Sequence, residues 1–174
     1  MFHAIFNWFH DEESNFELKL AQSESLIAAL QEVHALCYGM PDSKLREQLD
    51  ATESLRRHAG LRPKQEGIRL GDSLHNLGVH LSKTHNAHSL ACSLIREAFR
   101  IYHQLSSSGG DNEANLMTRQ WTALRSLSIF LSKAGKDEDA IEVRQRYITT
   151  IRPLVESNPG KHTPELAESL HFVG

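Results

Sequence analysis

Apolar residues recur with the period of an α-helix along the second half of the chain, and the same pattern of residues occurs there more than once. Each copy has apolar residues at positions i, i+3 and i+7, which lie along one side of a helix. The first two copies are 50 residues apart and consist of Leu74, Leu77 and Leu81, and of Leu124, Leu127 and Leu131. A third copy begins 46 residues later, at Leu170 and Val173. Internal repetition of this kind is typical of stacked helical hairpins.

A small residue stands beside each apolar stripe, at Gly78, Ser128 and Gly174. Glycine in the middle of a helix costs about 1 kcal/mol relative to alanine. Its presence at position 78 therefore predicts that another backbone passes close to this helix.

A second amphipathic helix is predicted after each of the first two copies. Its apolar positions are Ala91, Ile95, Ala98, Ile101 and Leu105 in the first repeat, and Ala140, Val143, Tyr147, Ile151 and Leu154 in the second. The turns between paired helices are predicted at residues 84–86 and 134–136, with Gly135 in the left-handed conformation that ends helices. The first turn is expected to be one residue longer, because its flanking apolar positions are ten residues apart rather than nine.

The first sixty residues predict further helices. A short amphipathic helix is indicated by Phe2, Ile5, Phe6 and Phe9. We interpret it as a cap on the open end of the array; the alternative is a helix that binds a partner or a membrane surface. Longer helices are predicted at about residues 16–38 and 44–59. This hairpin is either a degenerate repeat or an unrelated cap, since Ser25-Leu26 precedes Ser73-Leu74 by 48 residues.

The repeat resembles the tetratricopeptide repeat, and residues 95–102 are similar to the second helix of its longer-period, kinesin-light-chain-like branch. The family pattern of large, leucine, small and large residues, with alanine early on the second helix, is matched by Leu74, Leu77, Gly78, Leu81 and Ala91. The resemblance implies an all-α solenoid of stacked antiparallel helical hairpins. Residues 1–62 would form an N-terminal helical extension, and residues 63–174 two complete repeats and a truncated third.

In this family the first helices of successive repeats line a concave face, so the resemblance also implies a partner-binding groove. The residues expected to line it are His75, Asn76, Val79, Lys83, Arg125, Ser126, Ile129 and Lys133. The two lysines recur at the same repeat position and suit a peptide with acidic residues or a free C-terminal carboxylate. The simpler alternative is that they are only solvated side chains at helix ends, where cations interact favourably with the helix dipole. We expect a non-enzymatic protein- or peptide-binding scaffold. The alternative is a helical enzyme or small-ligand-binding domain with a pocket between the N-terminal hairpin and the repeats.

Composition and charge bear on the partners and the cellular compartment of the protein. The chain has 174 residues, 40% of them hydrophobic, and a net charge of −3 without a basic cluster, which argues against a nucleic-acid partner. No apolar run approaches the roughly 18 residues of a membrane span. Two cysteines are too few for a disulfide scaffold, so we expect free thiols and a cytoplasmic protein.

Eleven histidines raise the question of a metal site. His85, His88 and Cys92 have the spacing of one helix face and are ligand types that zinc accepts. However, His85 falls in a predicted turn, and only His80 lies near enough to act as a fourth ligand. We interpret these histidines as solvated and the cysteine as packed. No catalytic residue, metal or cofactor is predicted, because the chain has no nucleophile elbow or phosphate-binding loop.

The sequence stops at Gly174, the small position of the third copy. This predicts either a piece of a longer array or a homodimer that pairs through Leu166, Leu170 and Val173.

Overall fold

The computed structural model describes residues 23–59, 63–107 and 113–157, and all regular structure in these ranges is α-helical. The helices are α1 (Glu24–Gly39), α2 (Ser43–Ala59), α3 (Pro63–Thr84), α4 (His88–Ser107), α5 (Glu113–Lys133) and α6 (Asp137–Ser157). The all-α fold class is therefore confirmed for the described part of the chain. The predicted N-terminal amphipathic helix and the third copy of the repeat lie outside these residues.

Each helix packs against the next one along the chain, from α2 through α6, and α3 also contacts α5. The pairs α3–α4 and α5–α6 occupy the positions of the two predicted repeats. The first helix differs, since α1 packs against α4 as well as against α2. The succession of hairpins is compatible with a solenoid, and the tetratricopeptide arrangement remains a prediction.

The predicted apolar stripes form the core. Leu74, Leu77 and Leu81 are all 0% exposed, and Leu124, Leu127 and Leu131 are no more than 1% exposed. On α4 and α6, every stripe residue whose side chain is described is buried as well. Burying a leucine contributes about 1.5–3 kcal/mol, so these stripes hold the helices together. Among the described helices, none is long and apolar enough to cross a membrane.

The close backbone predicted beside Gly78 is the start of α4. A Cβ atom added to Gly78 would lie 3.2 Å from the carbonyl oxygen of Ala91 and 3.2 Å from the side chain of Ile95. Two turns earlier on the same side of α3, a Cβ at Gly71 would come within 2.5 Å of the Tyr102 ring. Glycine at these two positions therefore allows α3 and α4 to approach closely.

The two turns within the repeats reverse the chain through left-handed residues, Asn86 with φ of 53° and Gly135 with φ of 72°, as predicted for Gly135. The carbonyl of Leu131 accepts a hydrogen bond from the backbone N–H five residues later, at 2.9 Å, in the manner of a Schellman cap. The carbonyl of Leu81 instead accepts one from the N–H six residues later, at 3.3 Å. The extra residue predicted for the first turn is therefore present.

We expect Gly71→Ala to lower the free energy of unfolding by about 1–3 kcal/mol, the usual cost of overpacking. This should hold even though alanine gains up to about 1 kcal/mol in helix propensity, because the Tyr102 ring is only 2% exposed and has little room to move. The control is Gly39→Ala, where an added Cβ meets no atom within 4 Å. Urea denaturation followed by circular dichroism measures both; equal stability of the two variants would contradict the close approach.

Candidate functional site

The eight residues predicted to line the groove all keep some exposure, and we call them together the α3–α5 face. Asn76, Lys83, Arg125, Ile129 and Lys133 are exposed, whereas His75, Val79 and Ser126 are partly buried. Two of them join the helices directly, since His75 Nε2 lies 3.0 Å from Ser126 Oγ. The first helices of the two repeats therefore contact each other at this face, through residues at adjacent rather than equivalent repeat positions.

His75 is the most enclosed ionisable group of the α3–α5 face. Burial lowers its pKa, while the charge of Asp72 and hydrogen bonds with Thr122 and Asn76 act in the opposite direction. The imidazole is therefore biased toward its neutral form, which suits a hydrogen bond with a serine hydroxyl.

One turn before His75 on α3, one carboxylate connects three helices. Asp72 on α3 accepts a hydrogen bond from the Tyr102 hydroxyl of α4 at 2.7 Å. It also accepts two from Arg119 of α5, at 2.8 and 3.0 Å, in the bidentate geometry that favours strong pairs. Burial and then the hydrogen bond to Asp72 raise the pKa of the Tyr102 phenol, so it stays protonated and donates. We call these three residues the Asp72 clasp.

Sequence reasoning missed the Asp72 clasp, although one signal for it existed. The carboxylate of Asp72 returns in the third copy as Glu168, within otherwise similar pentapeptides. The tyrosine and arginine that use it lie 30 and 47 residues further along, so no local spacing links them.

A second cluster joins the N-terminal hairpin to the first repeat. Asp42, in the loop before α2, places Oδ2 at 3.0 Å from His80 Nε2 and 2.7 Å from His85 Nε2. Its other oxygen, Oδ1, accepts the backbone N–H of Leu45 at 2.9 Å and caps α2. The Leu45 hydrogen bond, followed by those from the two imidazoles, lowers the pKa of the Asp42 carboxyl.

The candidate metal triad from the sequence is not assembled. His88 Nδ1 instead lies 3.0 Å from Ser82 Oγ, and Cys92 is buried as a free thiol, as expected for a packed cysteine. The interpretation of the histidines as solvated is wrong for His80 and His85, whose side chains are only 14% and 11% exposed. The missing element was Asp42, which no sequence spacing associates with them.

A buried carboxylate also anchors the start of α1. Glu97 of α4 is 4% exposed and accepts a hydrogen bond from Ser25 Oγ at 2.6 Å. Arg100 pairs with it at 2.9 Å. Because these partners are a neighbouring hydroxyl and an i+3 arginine, we assign this group a structural role, which is to hold α1 against α4.

Comparison of the chain with protein-family models, with curated proteins and with solved structures gives no match. The tetratricopeptide resemblance therefore stays a prediction from the residues. The proposed self-association residues Leu166, Leu170 and Val173 lie outside the described part of the chain.

We expect Asp72→Ala to lower the free energy of unfolding by roughly 1–3 kcal/mol, because it leaves the Tyr102 hydroxyl without the acceptor it has in the structure and removes the ion-pair partner of Arg119. The matched control is Glu66→Ala, which breaks the pair of Glu66 with Arg69, an arginine that is 63% exposed. That loss should stay below about 1 kcal/mol. Equal losses in urea titrations would show that the Asp72 clasp contributes no more than a surface pair.

Stability should also fall as the pH is lowered below the ordinary histidine pKa of about 6.5. Burial lowers the pKa of both His75 and His103 in the folded protein. Between the folded and unfolded pKa values, the unfolded chain binds more protons, so acidification favours unfolding. A His75→Gln/His103→Gln variant should lose less stability between about pH 7.5 and pH 5 than the parent chain. His58→Gln, at an exposed site, should follow the parent; a double variant that does so too would refute this assignment.

Proposed function

We propose that the chain is a non-enzymatic scaffold that binds a protein or peptide with acidic residues or a free C-terminal carboxylate on the α3–α5 face. The observation that supports the proposal is that α3 and α5, the first helices of the two sequence repeats, contact each other through His75 and Ser126, while none of the eight face residues is buried. A surface repeated in this way offers matching contacts along an extended ligand.

The charge of the α3–α5 face favours an anionic partner. Lys83 and Lys133 stand at equivalent positions of their helices, 50 residues apart, and both are exposed. The face includes no carboxylate, and neither lysine belongs to an ion pair among the residues that the structure describes. A carboxylate ligand would therefore gain two cationic contacts without displacing an existing partner.

The middle of the face offers apolar contact. Ile129 keeps 38% of its surface exposed, and Val79 packs partly against the core. A peptide side chain that covered Ile129 would remove apolar surface from water, which is the main favourable term in most protein association.

The supports of the α3–α5 face reduce the cost of binding. His75 and Ser126 join the two helices at the face itself, and Asp72 and Arg119 join the same helices nearer the start of α5. A surface that is ordered before binding loses less conformational entropy when its ligand arrives.

To test the proposal, a library of peptides with free C-terminal carboxylates is selected against the full chain, and binding of recovered peptides is measured by fluorescence anisotropy. We expect Lys83→Glu/Lys133→Glu to weaken binding at least about tenfold, through loss of two charge-assisted contacts. The effect should shrink as salt is raised, because exposed charges are screened.

The matched control is Lys136→Glu/Arg152→Glu, which makes the same change of net charge at exposed positions outside the α3–α5 face. Recovery of no peptide, or equal loss of binding in both double variants, would overturn the proposal.

A further inference from the structure

The Asp42 cluster draws its members from two distant parts of the chain. Asp42 belongs to the loop between α1 and α2, His80 lies in the last turns of α3, and His85 begins the turn toward α4. The cluster thus occupies the junction between the N-terminal hairpin and the first repeat. Of the described residues, these three are the ones whose ligand atoms could hold a metal ion together.

Three features fit these atoms to a single ion. Both imidazoles direct Nε2 toward the same oxygen, Asp42 Oδ2, at 3.0 and 2.7 Å. The Leu45 N–H holds the other oxygen at 2.9 Å, which orients the carboxylate as hydrogen-bonded partners of metal ligands do. The candidate ligand atoms all lie within 4.8 Å of one another.

We propose that Asp42, His80 and His85 form a binding site for one Zn²⁺ ion, with water as the fourth ligand. Imidazole nitrogen and carboxylate oxygen are ligands that zinc takes at about 2.0–2.2 Å in tetrahedral geometry. That geometry separates neighbouring ligand atoms by about 3.3 Å. The two distances to Asp42 Oδ2, 2.7 and 3.0 Å, would therefore widen by only a few tenths of an ångström.

The protons of the site can be accounted for. Without an ion, each neutral imidazole donates its Nε2–H to the Asp42 carboxylate. With the ion bound, each ring carries its hydrogen on Nδ1 and presents the Nε2 lone pair, so a neutral ring releases no proton. The three side chains are between 11% and 18% exposed, which leaves water access to the remaining coordination position.

The ion would fasten the N-terminal hairpin to the first repeat. It would replace two hydrogen bonds by coordination that links the α1–α2 loop to the end of α3 and to the first residue of the α3–α4 turn. None of its three residues belongs to the α3–α5 face, so the zinc proposal can be tested independently of the proposed function.

Isothermal titration of untagged full-length chain, stripped with a chelator and supplied with Zn²⁺, tests the site directly. We expect one ion per chain with a dissociation constant in the micromolar range or tighter. His80→Gln, His85→Gln and Asp42→Asn should each weaken binding at least about tenfold. Asparagine keeps an oxygen that can cap α2, so Asp42→Asn tests the ligand with less risk to the fold.

The matched controls are His34→Gln and His58→Gln, at exposed positions of α1 and α2, and both should bind as the parent does. Nitrogen NMR of the parent chain tests the site without requiring that any variant folds. Zn²⁺ should shift the Nε2 resonances of His80 and His85 and leave those of His34 and His58 unchanged. Absence of binding, equal binding by all the variants, or unshifted Nε2 resonances would overturn the proposal.

Discussion

The close approach of α3 to α4 is the constraint on which the polar contact between the two repeats depends. It is possible because Gly71 and Gly78 have no Cβ, so the Tyr102 ring lies over the first and the Ala91 carbonyl over the second. With its ring in that position, Tyr102 reaches Asp72, and the same carboxylate then receives Arg119 from α5. The distance between two helices thereby determines how the third helix docks. A larger residue at position 71 would disturb the packing and the polar contact together.

Two carboxylates perform similar tasks at different places in the molecule. Asp72 connects the two repeats, and its contacts with Tyr102 and Arg119 hold together the helices that carry the α3–α5 face. Asp42 connects the N-terminal hairpin to the first repeat through two histidines. Both use all the oxygens they have, which is how partly buried carboxylates are stabilised. The proposed peptide surface and the proposed zinc site therefore rest on separate groups, and loss of one need not affect the other.

The core followed from the sequence because it depends on local periodicity. Leucines three and four residues apart share one side of a helix whatever surrounds them, so the buried stripes, the left-handed residue at position 135 and the close contact at Gly78 were all predictable. The polar clusters were not. His80 was considered as a metal ligand without its hydrogen-bond partner Asp42, because 38 residues separate the two and no rule of spacing applies across two helices. For the groove residues only part was predictable. The sequence repeat indicated which positions of α3 and α5 are equivalent, but it did not indicate what those positions bind.

The sequence by itself determined that the chain is helical, where the helices pair and which positions are buried, because each of these follows from interactions within a few turns. Only the tertiary structure decided which polar side chains meet. A hydrogen bond or a coordination site requires atoms within about 3 Å, and such distances between remote residues are set by how whole helices pack. Between α3, α4 and α5, that packing depends in turn on Gly71 and Gly78, whose lack of a Cβ lets Tyr102 and Arg119 meet at Asp72.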